Sequence, residues 1–133
     1  MRKPSKKTTL RGAAVLAAAL ALPALNATSA QAIQWDNQLH TDDTDPGGRL
    51  RFEAYGDIVE ICDIEADGWA VGVKVKGPGG YSDSFTIGGN GDCKTHRASN
   101  GHNLREGEYY TFEVYLYSGE IANAYRDVAS WKA

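Results

Sequence analysis

Two cysteines, three histidines, two acidic runs and a row of tyrosines are the residues of this chain with chemistry to offer. Cys62 and Cys93 fit no short Cys-x-x-Cys metal or redox site. In an oxidising compartment the pair reads as one disulfide, closing a loop of roughly 30 residues at ~3–4 kcal/mol of chain entropy. His40, His96 and His102 are the only imidazoles. His96 and His102 lie six apart, not the i, i+4 spacing that sets two zinc ligands on one helix face, and no third ligand stands at useful spacing. They read as solvated loop residues, and neither a metal site nor a cofactor is expected.

Asp63-Ile64-Glu65-Ala66-Asp67-Gly68 resembles the start of a calcium loop, but Lys74 occupies the place of its closing carboxylate. The stretch therefore reads as a hairpin turn with solvated acids. Asp42-Asp43-Thr44-Asp45 is a second acidic run and a lesser metal candidate. No Gly-x-Ser-x-Gly elbow or phosphate-binding glycine loop is present. A non-enzymatic reading is preferred to that of a small hydrolase, whose paired carboxylates would have to meet across a cleft.

The aromatic signal is stronger. Tyr110, Phe112, Val114 and Leu116 alternate with Tyr109, Thr111, Glu113, Tyr115 and Tyr117. If the first set faces a core, Tyr109, Tyr115 and Tyr117 share the opposite face, because residues i and i+2 lie on one side of a strand. Flat rings there would suit sugar C–H faces or a protein partner. The second candidate surface is the polar, glycine-rich stretch from Gly88 to Gly107, with Asp92, His96, Arg97 and His102 as its contact residues. Connections of that length are usually functional or mobile.

Period-two patterning supplies the elements that must position these groups. Leu50, Phe52 and Ala54 share one face, as do Trp69, Val71, Val73 and Val75. Gly56-Asp57, Ala66-Asp67-Gly68, Gly77-Pro78-Gly79-Gly80 and Gly119-Glu120 punctuate the runs with turn chemistry. The spacing predicts strands near 49–55, 58–64, 69–76, 81–87, 108–118 and 121–131, with an edge strand near 33–39. The alanines of 121–131 leave that last segment open to a helical reading. A single sheet would leave an apolar face wet. The expectation is therefore all-β: a small antiparallel β-sandwich of immunoglobulin-like architecture, or a flattened barrel, of about six to seven strands. The Cys62, Trp69, Cys93 order is too tightly spaced for a true immunoglobulin bridge.

The first thirty-two residues set the compartment. Arg2, Lys3, Lys6, Lys7 and Arg11 precede an apolar run, Ala13 to Leu25, that ends in Ala30-Gln31-Ala32. This is the pattern of a secretory signal peptide, and the run is too short for a membrane span of roughly 20 residues. Cleavage after Ala32, or alternatively after Ala30, is expected to release a secreted protein with no membrane attachment. Ile33 to Gly48 reads as an acidic N-terminal segment and 49–133 as the β-sandwich domain. Removal of the leader takes five of the 14 Lys and Arg residues and none of the 17 Asp and Glu residues. The mature chain is thus strongly acidic, which disfavours nucleic acid and anionic membranes as partners.

The Ala-rich leader, the Tyr55-Gly56-Asp57 to Cys62-Asp63 segment, the Ala66-Asp67-Gly68 turn and Arg105-Glu106-Gly107 before an aromatic strand together resemble small secreted proteins of filamentous actinobacteria. The resemblance implies export and a small disulfide-linked β domain, with no established activity to transfer. The expected function is a secreted binding domain for a protein partner or a cell-surface polysaccharide. An inhibitor of an exported hydrolase, presenting the 88–107 stretch, is the alternative within binding.

Overall fold

A computed structural model describes residues 30–133, and the basic and apolar parts of the leader lie outside the described residues. Ala32–Ala133 forms one compact unit. Its eight strands are β1 (Asn37–His40), β2 (Gly48–Glu53), β3 (Ile58–Asp63), β4 (Ala70–Lys76), β5 (Ser82–Ile87), β6 (Cys93–His96), β7 (Tyr109–Ser118) and β8 (Ile121–Lys132). They form two four-stranded antiparallel sheets, ordered β1-β2-β3-β6 and β5-β4-β7-β8. Among the described residues there is no α-helix, and no helix is long and apolar enough to cross a membrane. The all-β sandwich expected from the patterning is the fold. The segment 121–131, left open above, is strand.

The inward faces are those that alternation marks. Leu50 and Phe52 from β2, Val59 and Ile61 from β3, Val71, Val73 and Val75 from β4, and Phe112, Val114 and Leu116 from β7 fill the space between the sheets. Phe52 and Phe112 pack at 4.6 Å between ring centroids, and Trp131 of β8 closes on Phe112 at 4.9 Å. Two glycines admit tyrosine rings. Gly77, extended at φ −156°, lies under the buried ring of Tyr110, and Gly72 on the outer face of β4 lies under Tyr115.

The structure has eight strands where about six to seven were expected. The edge strand expected near 33–39 is β1, confined to Asn37–His40, so the N-terminal acidic segment belongs to the sandwich. The long stretch after β5 contributes β6, an edge strand without apolar alternation. The Cys62–Cys93 disulfide joins it to β3, where the two cysteines face each other in register.

Asp57, at the β2–β3 turn, is 3 % exposed and left-handed at φ 49°. Its Oδ2 accepts the Leu104 N–H at 2.8 Å, fastening the long stretch to the core, while Oδ1 is buried without a partner. Burial raises its carboxyl above the ordinary value, opposed by the Leu104 hydrogen bond and assisted by Glu106. A raised folded pKa gives stability that is present below the unfolded value and lost as pH rises through the folded one. Asp57→Asn keeps the acceptor, tolerates the left-handed backbone and removes the buried charge. It should therefore be more stable than wild type near neutral pH and lose that advantage at about pH 3. Urea denaturation at both pH values reads the sign, and a variant less stable at neutrality contradicts the account.

Candidate functional site

The turns at one end of the sandwich line a shallow, open pocket of about 500 Å³. Its wall comes from the end of β3 and the following turn (Asp63, Glu65, Gly68), the start of β4 (Trp69, Ala70), the connection after β5 (Gly88, Gly89, Asn90) and the β7–β8 hairpin (Tyr117, Ser118, Gly119). Trp69 and Tyr117 are half-buried and provide two aromatic rings. Trp69 is braced edge-on by Tyr125 at 6.0 Å. Its backbone is fixed by an Asx turn in which Asp67 Oδ1 accepts the Trp69 N–H at 2.8 Å.

Asp63 builds the pocket rather than acting in it. It is 2 % exposed, its Oδ2 accepts the Gly89 N–H at 2.9 Å, and its Oδ1 accepts that of Glu65 at 3.3 Å. Its backbone also pairs with Asp92 and Gly91, so one residue ties its own turn to the connection between β5 and β6. The Asp63–Gly68 stretch makes the turn read from the sequence, but its acids are not all solvated: Asp63 is buried and Glu65 is half-buried. Glu65 is the other carboxylate on the pocket wall, and its side chain is hydrogen-bonded to that of Asp67. Desolvation, followed by the carboxylates of Asp45, Asp67 and Asp43, raises its pKa above the usual carboxylate value. The two acidic runs, which the sequence left apart, meet here: donor oxygens of Asp43, Glu65 and Asp67 lie within 4.8 Å of one another. They put concentrated negative potential beside the pocket. Asp43 is also committed to its own loop, accepting the Gly47 N–H at 3.0 Å.

The tyrosine row is corrected. Tyr109 is 64 % exposed at the start of β7, whereas Tyr115 is 8 % exposed. Gly72 sits opposite Tyr115 in the register, so the ring lies down over bare backbone, with the Lys74 ammonium 4.8 Å from its centroid. Burial, then Glu113, raises the Tyr115 phenol above its ordinary pKa. Tyr117 is drawn into the pocket, and Tyr109 stands at the far end of the same strand. The three rings share an outer face without forming an open platform.

The 88–107 stretch is likewise tied down. Asp92 and Arg97 bracket β6 at its two ends and do not converge. His96 and His102, expected as solvated, both turn their Nδ1 atoms onto Asp83 Oδ2, at 2.7 and 2.9 Å. Asp83 was missed from the sequence. Its signal was parity, because Tyr81, Asp83, Phe85 and Ile87 alternate with polar residues and so place a carboxylate on an inward face. His40 lies apart on β1, opposite Arg49. Glu60, Cys62 and Cys93 also group their donor atoms, but both sulfurs are spent in the disulfide and Glu60 pairs with Arg51.

Comparison with protein-family models, with curated proteins and with solved structures finds no match to this chain.

Proposed function

We propose that this chain is an exported, non-enzymatic module that binds cell-surface polysaccharide through the pocket at the Trp69–Tyr117 end of the sandwich. The observation that carries the reading is the pairing of those two rings with a polar rim of Glu65, Asn90 and the Gly88-Gly89 backbone. Sugar rings present C–H faces to flat aromatics and hydroxyls to amides and carboxylates. A concave site with a few convergent polar groups is the general form of a small-ligand site. The leader pattern and the disulfide support export. A hydrolase needs two working carboxylates at the bond to be cut. Here Asp63 spends both oxygens on backbone N–H groups, and the carboxylates clustered with Glu65, those of Asp43 and Asp67, are engaged by the Gly47 and Trp69 N–H groups.

Titration of the protein with soluble cell-wall and plant polysaccharides, followed by tryptophan fluorescence and calorimetry, tests the reading. Trp69→Ala and Tyr117→Ala should each weaken binding by about 30-fold, the scale of an interface hot spot. Tyr109→Ala, at the other end of β7, should leave it unchanged. Equal binding by all three variants, or no glycan bound, overturns the proposal. Release of new reducing ends that Glu65→Gln abolishes would transfer the reading to a hydrolase.

A further inference from the structure

At the opposite end of β5 from the pocket, the two sheets are joined at their open edges by Asp83 of β5, His96 of β6 and His102 of the following connection. We propose that these three residues form a binding site for a divalent transition ion of the zinc type, held by one carboxylate oxygen and two imidazole Nδ1 atoms.

The donor atoms already converge. Asp83 Oδ2 lies 2.7 Å from His96 Nδ1 and 2.9 Å from His102 Nδ1, and all three ligand atoms fall within 4.8 Å of one another. Adjacent ligands around an ion with bonds of ~2.0–2.1 Å stand roughly 2.9–3.4 Å apart, close to the spacing here; because the two rings are stacked 21° from parallel, admission of the ion also requires a ring to rotate so that both Nδ1 lone pairs meet it. The ligands come from three segments held independently of any ion. His96 lies three residues from the Cys93 bridge and stacks on Phe85 at 3.7 Å, and His102 stacks on His96 at 3.8 Å. The side chains are 16 %, 29 % and 13 % exposed for His96, His102 and Asp83, withdrawn from bulk water yet reachable from it.

The donor set selects the ion. Two nitrogens among three donors suit zinc, copper, nickel or iron and not calcium or magnesium, which require oxygen. Three protein ligands leave a fourth position for water or an exogenous group. Asp83 Oδ2 is hydrogen-bonded to His96 Nδ1 and lies within ion-pair distance of His102 Nδ1, and the ion would take the place of both contacts.

The test uses the full chain without an affinity tag. Calorimetric titration with Zn2+ at about pH 7.5 should show one site. Zn2+ at roughly 100 times its Kd should raise the melting temperature by about 10 °C. Ca2+ should do neither. His102→Ala and Asp83→Asn should each weaken Zn2+ binding at least about tenfold, with near-ultraviolet circular dichroism confirming the fold, and His40→Ala should not. In the wild-type protein, Zn2+ should shift the imidazole nitrogen resonances of His96 and His102 and leave those of His40 in place. Unmoved His96 and His102 resonances, or equal Zn2+ affinity in His102→Ala and wild type, overturn the proposal and leave the three side chains as a hydrogen-bonded fastening of the sheet edges.

Discussion

Replacing Cys62 and Cys93 together by alanine is expected to lower stability by ~3–4 kcal/mol, the chain-entropy value of a loop of roughly 30 residues. Equilibrium denaturation of the variant against the oxidised protein measures it, and an unchanged midpoint contradicts it. The expectation rests on what else holds β6. That strand has four residues and none is buried. It contributes almost no apolar area, and its remaining ties are the ladder to β3 and the His96 contacts with Phe85 and Asp83. The damage should therefore be uneven. Loss of the bridge should expose residues 88–101 to proteolysis before the Phe52–Phe112 core opens, as expected of a segment with few buried contacts. Cleavage that begins in β4 or β7 instead would mean the bridge supports the whole sandwich uniformly.

Gly77→Ala is expected to cost about 3 kcal/mol, for a purely steric reason. The backbone at Gly77 is extended, a conformation alanine adopts freely. Its added Cβ, however, would fall 2.2 Å from the Tyr110 ring. That ring cannot yield: it is 1 % exposed, packs edge-on against Tyr81 at 5.4 Å, and its hydroxyl accepts the Arg105 N–H at 2.8 Å. A melting temperature lower by about 15 °C follows for a domain of this size. A double-mutant cycle with Tyr110→Leu isolates the cause, because the shorter side chain should absorb much of the penalty. Additive losses, or a single variant within about 0.5 kcal/mol of wild type, would show that the ring moves aside.

Legibility of the sequence followed the size of the local signal. Period-two runs around Phe52, Val73 and Phe112 marked their strands and their inward faces, because one side of each is buried without exception. Cys93-Lys94-Thr95-His96 carried no such pattern, since an edge strand held by a covalent bridge needs none. Tyr115 misled because its burial depends on what faces it across the sheet, and the Gly72 pairing is a matter of register rather than of its own neighbours. The pocket was illegible for the same reason. Trp69 read as the first inward residue of a strand and Tyr117 as an outward one, and only the turns at the strand ends bring them to one wall. Asp43 and Asp67, 24 residues apart in the sequence, likewise meet only after β2 and β3 have paired.

The long final strand remains. β8 runs for 12 residues along the edge of its sheet and leaves Ile121, Tyr125 and Val128 exposed. A flat strand of that length and polarity would offer a second molecule a ready row of hydrogen-bonding groups. β8 is not flat. Asn123 and Tyr125 turn left-handed at φ 57° and 48°, the register with β7 slips at Val114/Leu116 and again at Leu116/Ser118, and the Tyr125 carbonyl is already taken by the Asp42 N–H at 2.8 Å. An incoming chain would find matching partners for only a few residues before the ladder fell out of step. The irregular backbone thus shortens the regular edge open to a second strand to the Asp127–Lys132 half of β8.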